Sequence, residues 1–560
     1  MRYARNLAAG HGLLWNPGQA PVEGYTNFLW TLWMALVHMG GAPESKVALL
    51  VMLSGALILA ANLAVVKRIA DTLAPESPLA TSLAVWLTAL YYPLAYWTLR
   101  GMEVGLVTLI VAASVLVALR LHDRFRSGDL AALAALMALG ILTRPDVVVP
   151  CAVVGAFVFV TSSAADRARV VVVLGGAIAG TFAIHTAFRF LYYGDWLPNT
   201  YYLKVSGAAL DARLARGFRG LAGVGLLHLL VPLALSSAYV IAARRRQHPG
   251  IYLLVALFLA LCGYSAYVGG DVWDAMFIAN RYVTPAVPGL LILTALALEP
   301  VVRGDAAVRS ATLIGLVALF AVAAILTAMA PASTLGVMAT PADERLRVVR
   351  AVLVLTPLAI LPFAHRSRSL ATVVLTAAAA VAINGFPVAL WIDHNAFYVD
   401  DDEWTTRYAL ALQSATAEDA SIAVAWAGAI PYFSHRTAVD LLGKSDRVVA
   451  RRARQPGVDF EPGHDKWDYS YSIGQLEPDV VAELWRASED DMKRIEGWGY
   501  VRLAPWVFVR ADSERVDRAA VKGAACTVLR NDPFVLGSET KSVPSLGDLV
   551  RRYCTDVTPR

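Results

Sequence analysis

Charge is scarce in this 560-residue chain: Asp, Glu, Lys and Arg together make up 17%, against 57% apolar residues, and mean hydropathy is +0.54. A soluble globular chain carries about a quarter charged residues, so the deficit excludes an ordinary soluble protein and points to a membrane class. Cysteine is equally sparse, four residues in all, which excludes a disulfide-dense scaffold and a cysteine-rich zinc cluster. No His-x-x-x-His or paired-Cys spacing occurs, and His11, His38 and His464 stand alone, so no structural zinc is expected. Internal repeats are absent, as are basic runs interleaved with aromatics. The net charge of +5 therefore gives no reason to expect nucleic acid.

What the chain does have is apolar runs, filling it from Lys46 to Trp391. A bilayer core about 30 Å thick needs roughly 20 apolar residues as a helix, and the pattern predicts about twelve spans on that criterion. Their cores are Val47 to Val66, Leu79 to Leu99, Val104 to Leu121, Leu130 to Leu142, Val147 to Val160, Val170 to Leu191, Phe218 to Ala243, Ile251 to Val268, Val283 to Leu298, Ala311 to Ala328, Val348 to Phe363 and Leu370 to Trp391. The fourth and fifth are short and divided by Arg144-Pro145-Asp146, which reads as a helical hairpin.

Lys and Arg in short loops mark the cytoplasmic side. Threaded in order, the spans put Lys67/Arg68, Arg120/Arg124/Arg126, Arg167/Arg169, Arg244 to Arg246, Arg303/Arg309 and Arg366/Arg368 on that side. The Arg100 to Glu103, Arg144 to Asp146, Tyr192 to Lys204 and Gly269 to Asp271 loops then lie outside. So do residues 1–44, in which Thr26 to Met39 is an apolar stretch too short to cross, read as an interfacial or re-entrant helix. An N-terminus outside without a preceding anchor suggests that translation starts upstream and that a membrane helix precedes Met1.

Three regions follow: residues 1–44, an extracytoplasmic loop; 45–392, the helical transmembrane bundle; and 393–560, an extracytoplasmic soluble domain of α/β type. In the last, Glu403 to Ala415 has helical periodicity, while Ser421 to Ala427, Thr437 to Leu442 and Gly499 to Arg510 alternate as strands do. Cys526 and Cys554 lie here, in a compartment that permits a disulfide between them or two free thiols; Cys151 and Cys262 fall inside spans as small apolar residues.

Charged side chains at span ends sit at boundaries or face a cavity, because mid-bilayer placement costs roughly 2.5–3.5 kcal/mol each. Arg100, Glu103, Arg144, Asp146, Arg189, Asp195, Lys204, Asp271 and Arg281 fit this description, and the bland alternative is that each only marks where a helix leaves the lipid. The strings Arg2 to Gly18, Val22 to Asn27, Gly101-Met-Glu103, Arg144-Pro-Asp146, Tyr193 to Thr200 and Gly269-Gly-Asp271 resemble the polyprenyl-phosphate-sugar-dependent glycosyltransferases of the GT-C superfamily. Within it they look most like the terminal arabinofuranosyltransferase of mycobacterial cell walls and its bacterial relatives. Gly428 to Tyr432, Val439 to Gly443 and Gly463 to Lys466 extend the resemblance into the soluble domain.

That resemblance implies an inverting transfer of a sugar, arabinofuranose being the candidate, from a polyprenyl-phosphate donor to a cell-envelope glycan on the outer face of the bacterial inner membrane. Cations must meet the phosphate, and Arg144, Arg189, Lys204, Arg281, His464 and Lys466 are the candidates. Arg5, Asn27, Glu103, Asp146, Asp195, Asn199 and Asp271 are candidates for the sugar or the cavity wall. A carboxylate must accept the acceptor proton; the aspartates that precede the Arg2 string in the resembling enzymes are missing, which leaves Glu23 as the substitute. No cofactor is expected, and the sequence leaves a divalent metal undecided. Two other classes compete: a lipid or glycan transporter, which should show repeat symmetry and broken mid-membrane helices, and a non-catalytic glycan-binding or regulatory protein on the same fold.

Overall fold

The computed structural model describes residues 1–242, 248–274, 279–303, isolated helical positions between 315 and 384, 399–532, 535–538, 546–555 and 557. Four helices among them are long and apolar enough to cross a membrane: Glu44–Leu73, Val104–Asp123, Ala164–Tyr193 and Gly250–Val268. Pro78–Ala89 and Tyr92–Leu99, bent by 51°, make a fifth if they are one span. Shorter apolar helices, Ser127–Thr143, Pro145–Thr161, Leu230–Ala242 and Thr284–Pro300, occupy four further expected positions. The expected total of about twelve is not reached within the described residues, because the last three spans fall largely outside them.

Burial ranks these helices. In Val104–Asp123, 78% of the most apolar window is buried, against 22% in Glu44–Leu73 and 17% in Ala164–Tyr193, so the first is the axis of the bundle and the others are its rim. Leu53, Leu57, Val172, Ile184 and Leu191 turn apolar surface outward from the rim helices, the arrangement expected where lipid replaces water. Phe28–Met39, the short helix expected at the interface, is 12 residues long and packs Trp30 and Met34 against Ala4 and Val51.

The two ends of the bundle differ. At one, Arg169 Nη1 donates to Ser127 Oγ at 3.2 Å, His248 Nε2 lies 3.5 Å from Asp123, and Lys67 pairs with Asp71 at 2.6 Å. The loops expected to carry the site emerge at the other. There the helix ends follow from local sequence: Arg144 precedes Pro145, is pushed to extended backbone (φ −154°, ψ 128°) and stops the helix. Gly194 (φ 72°) closes Gly176–Tyr193 and Gly269 (φ 90°) closes Gly250–Val268 in the left-handed conformation that glycine adopts without cost from a Cβ.

Over that end sits a sheet-containing domain. Helix Val399–Ala415 leads into strands β1 (Ser421–Val424), β2 (Thr437–Asp440), β3 (Val480–Val481), β4 (Leu484–Trp485), β5 (Tyr500–Ala504), β6 (Val507–Arg510) and β7 (Gly537–Ser538). The main sheet runs β2-β1-β3-β6-β5, with β1 parallel to β2 and β3 and with β6 antiparallel to β3 and β5. A second sheet pairs β4 with β7 in parallel. Phe508, Val480, Val481, Tyr408 and Leu412 fill the core between the sheet and its helices, and a disulfide joins Cys526 to Cys554.

Candidate functional site

Between the helix ends and the underside of this domain is a cavity of about 710 Å³. Of the expected residues, Asn27, Glu103, Arg144, Asp146, Arg189, Lys204 and Arg281 line it, although they come from five separate stretches of chain. Phe182, Trp196, Leu197, Tyr264 and Val268 supply an apolar side, and Lys444 of the sheet-containing domain, which the sequence did not single out, closes it from above.

The three arginines are already matched. Arg144 places Nε and Nη2 on Asp146 at 2.9 and 2.8 Å and Nη1 on Glu103 at 3.0 Å, with Tyr282 under its face at 5.2 Å. Asn27 Nδ2 donates to the other Glu103 oxygen at 3.0 Å. Arg281 makes a two-pronged pair with Asp271 at 2.6 and 2.7 Å. Burial works to raise the Asp271 carboxyl, but the Arg281 guanidinium and main-chain N–H hold it below the usual carboxylate range. Arg189 grips Glu23 through Nε and Nη2.

The lysines are not matched. Among the described residues, neither the Lys204 nor the Lys444 ammonium makes a hydrogen bond or ion pair; Lys444 lies 5.7 Å from the Trp426 ring. Burial, and then the neighbouring Arg281, lowers Lys204 to about 8. Burial lowers Lys444 also, against the attraction of Asp440.

Lys444 is presented by a turn whose shape is set by short-range and seam contacts together. The Asp440 carboxylate accepts main-chain N–H groups of Leu442, Gly443 and Ser445 at 3.1, 3.1 and 2.7 Å, a local side-chain-to-backbone pattern typical of Asp at turns. From across the seam, Asn199 Nδ2 donates to the carbonyls of Gly443, Lys444 and Asp446 at 2.9, 3.0 and 3.1 Å.

The structure places the other expected site residues outside the cavity lining, each against protein partners. Asn199 holds the Lys444 turn and does not line the cavity. Lys466, expected at phosphate, donates to the carbonyls of Tyr202, Ser206 and Ala450 at 2.8, 3.2 and 2.9 Å. His464 is buried between Trp426 and Trp485, ring centroids 5.8 and 5.3 Å away, although its neighbour Gly463 does face Lys204. Asp195 is clasped by Arg447 and Arg451 at 3.2 and 2.6 Å, and Asp271 stands behind Arg281. Arg5 lies elsewhere, against the Tyr432 carbonyl and Glu44. Glu23, the substitute base, is 4% exposed, is outside the cavity lining and has both oxygens on Arg189.

His122, Asp123 and His248 meet at the opposite end of the bundle, a grouping of potential ligands that spacing alone did not reveal. His248 Nδ1 accepts the Gly250 N–H at 3.0 Å, which places the proton of the neutral ring on Nε2, the nitrogen that faces Asp123. A hydrogen bond, not a metal ligand, fits that tautomer.

A fold of this kind has counterparts among solved structures. ArnT from Cupriavidus metallidurans bound to undecaprenyl phosphate is similar at 14% identity and a TM-score of 0.53, over 92% of this chain and 94% of that one. The same protein in the apo state is 16% identical with a TM-score of 0.47, over 81% and 83%. The first of these likenesses shows the fold alone: this chain has an ArnT-like fold. A family model described as a domain of unknown function (DUF8728) matches residues 395–522. No curated protein matches the chain.

Proposed function

We propose that this protein is a polytopic inner-membrane glycosyltransferase that moves a sugar from a polyprenyl-phosphate donor to a cell-envelope glycan, with inversion, on the outer face of the membrane. The observation that carries it is the cavity: two unmatched ammoniums, Lys204 and Lys444, face a half-open space that also has an apolar side. A lipid-linked phosphate has that pairing of charge and apolar chain. The ArnT structure with undecaprenyl phosphate supports the reading by its fold, and the sequence resemblance favours arabinofuranose as the sugar.

In this reading residues 45–392 form the bundle, and 1–44 and 393–560 lie outside, where the Cys526–Cys554 disulfide is chemically at home. The acceptor hydroxyl attacks the anomeric carbon as the bond to the donor phosphate breaks, and the departing oxygens gather negative charge beside Lys204 and Lys444. The acceptor proton passes to a carboxylate. Glu103 is better placed than Glu23, because it lines the cavity and one of its oxygens is held only by the neutral Asn27 amide, which a hydroxyl can displace.

The test is transfer of radiolabelled sugar from a synthetic polyprenyl-phosphate donor by the protein in liposomes. Labelled glycan supports the proposal. Donor binding without transfer favours the second reading, a non-catalytic lipid- or glycan-binding protein, for which the specific observation is that Glu23, Glu103 and Asp146 are all tied to arginines. Absence of both binding and transfer overturns both.

A further inference from the structure

Outside the cavity, the helix Arg447–Arg451 and the residue after it carry three arginines on an open shelf of about 510 Å³ lined by Asp195, Arg447, Val448, Arg451 and Arg452. The three side chains are 35%, 36% and 48% exposed. Asp195 serves both Arg447 and Arg451, and Arg452 pairs with Asp468 at 3.0 Å. Asp446, which caps the helix, is occupied by the Val448 and Val449 N–H groups and the Tyr471 hydroxyl, so the shelf lining itself sets three guanidinium groups against the single carboxylate of Asp195 and keeps an excess of positive charge.

What lies beside the shelf gives that charge a meaning. The rim helix Gly176–Tyr193 turns Ile184, Phe190 and Leu191 outward, and just beyond its end Trp196 is 61% exposed and stacks on Phe190 with centroids 4.3 Å apart. Aromatic side chains at the end of a lipid-facing apolar surface mark the membrane–water interface. The shelf begins at Asp195, one residue from Trp196, so the guanidinium groups stand at headgroup height. Planar guanidinium matches phosphate in two-pronged hydrogen bonds.

We propose that Arg447, Arg451 and Arg452 bind the phosphate headgroup of an anionic phospholipid in the leaflet that faces the soluble domain, fastening that domain over the cavity. The idea is independent of sugar transfer, since an inactive protein would hold the lipid equally well.

The experiment places a photo-cross-linking residue at Val448, which is 40% exposed on the shelf, in the full chain. The protein is put into vesicles of equal parts phosphatidylglycerol and phosphatidylcholine, without polyprenyl lipid. Cross-links should favour phosphatidylglycerol by about threefold, a preference that high salt removes. Arg452→Gln, at the rim of the shelf, should reduce the preference, and Arg451→Gln with Arg452→Gln should abolish it while the melting temperature reports on folding. Equal cross-linking to both lipids by the unsubstituted shelf at low salt overturns the proposal. So does a preference that survives both salt and the Arg452→Gln change. A preference that appears only after polyprenyl phosphate is added overturns it as well, and assigns the shelf to the donor.

Discussion

Lys204 and Lys444 differ from the arginines around them in a way that substitution can read. Each arginine of the cavity is matched by a carboxylate, so its charge is already committed; the two ammoniums are not. Lys204→Ala and Lys444→Ala are each expected to weaken binding of polyprenyl phosphate by about 1.5–3 kcal/mol, the worth of a charge-assisted hydrogen bond, measured by equilibrium binding in detergent. Because burial lowers Lys204 to about 8, its charge is present below that pH and lost above it. Donor affinity should therefore fall as pH rises through about 8 in the wild type and lose much of that dependence in Lys204→Ala. Arg189 behaves differently. Its removal leaves Glu23 buried and uncompensated, and burial already raises that carboxyl above its ordinary value. Arg189→Ala should cost about 3–5 kcal/mol of stability, seen as a lower melting temperature, and adding Glu23→Gln should recover part of it.

At the scale of elements, the capping domain carries a buried carboxyl at its strand ends. Glu483, between β3 and β4, accepts the Ala425 and Trp426 N–H groups at 2.8 and 2.7 Å just past β1. Burial raises it from 4.5 to about 8. A carboxyl whose folded-state pKa is raised favours the fold when protonated, so its contribution declines as pH rises from about 4.5 to about 8. Glu483→Gln keeps an oxygen for both N–H groups without the charge. Its melting temperature should exceed the wild type's by several degrees at pH 8 and match it near pH 4.5 (about 2–4 °C per kcal/mol in a domain of this size). No gain at pH 8 would mean that the carboxylate has a partner that compensates its charge.

For the whole molecule, the seam under the cap joins an apolar cluster of Tyr3, Leu13, Trp15, Tyr25, Tyr193 and Ala438 to single polar side chains that each satisfy several main-chain groups. Lys466 holds three carbonyls, two of them at the end of the Asn199–Lys204 helix, where a cation also suits the helix dipole. Arg2 binds the carbonyls of Trp15, Pro431 and Arg436, tying the first residues of the chain to the cap. Lys466→Met should leave those three carbonyls without their donor and loosen the cap. The expected result is faster proteolysis near residues 199–206 and weaker donor binding, although Lys466 lies outside the cavity lining. Unchanged proteolysis would show that the remaining seam contacts suffice.

Among the described residues, hydropathy by itself determined where the apolar helices run, because bilayer thickness imposes a length that composition reports directly. The Arg144-Pro145-Asp146 string likewise marked the break between two helices, and strand-like runs marked β1, β2 and the stretch that holds β5 and β6, since these are properties of neighbouring residues; that the last run folds back on itself as two strands was not read from it. That Arg144, Arg189, Lys204 and Arg281 belong together was also legible, because each is a charge at a span end. Which charge is free to meet a ligand was not. Glu23 and Arg189 are 166 residues apart, and Asn199 reaches a turn 245 residues away; such partners are chosen by packing, not by spacing. The sequence singled out the Val439 to Gly443 string and stopped one residue short of Lys444, whose position over the cavity depends on Asp440 below it and Asn199 across the seam. Only the tertiary structure decided that the arginines are matched and the lysines are not, because matching is a property of distance in space, and that distance is set when the cap closes on the bundle.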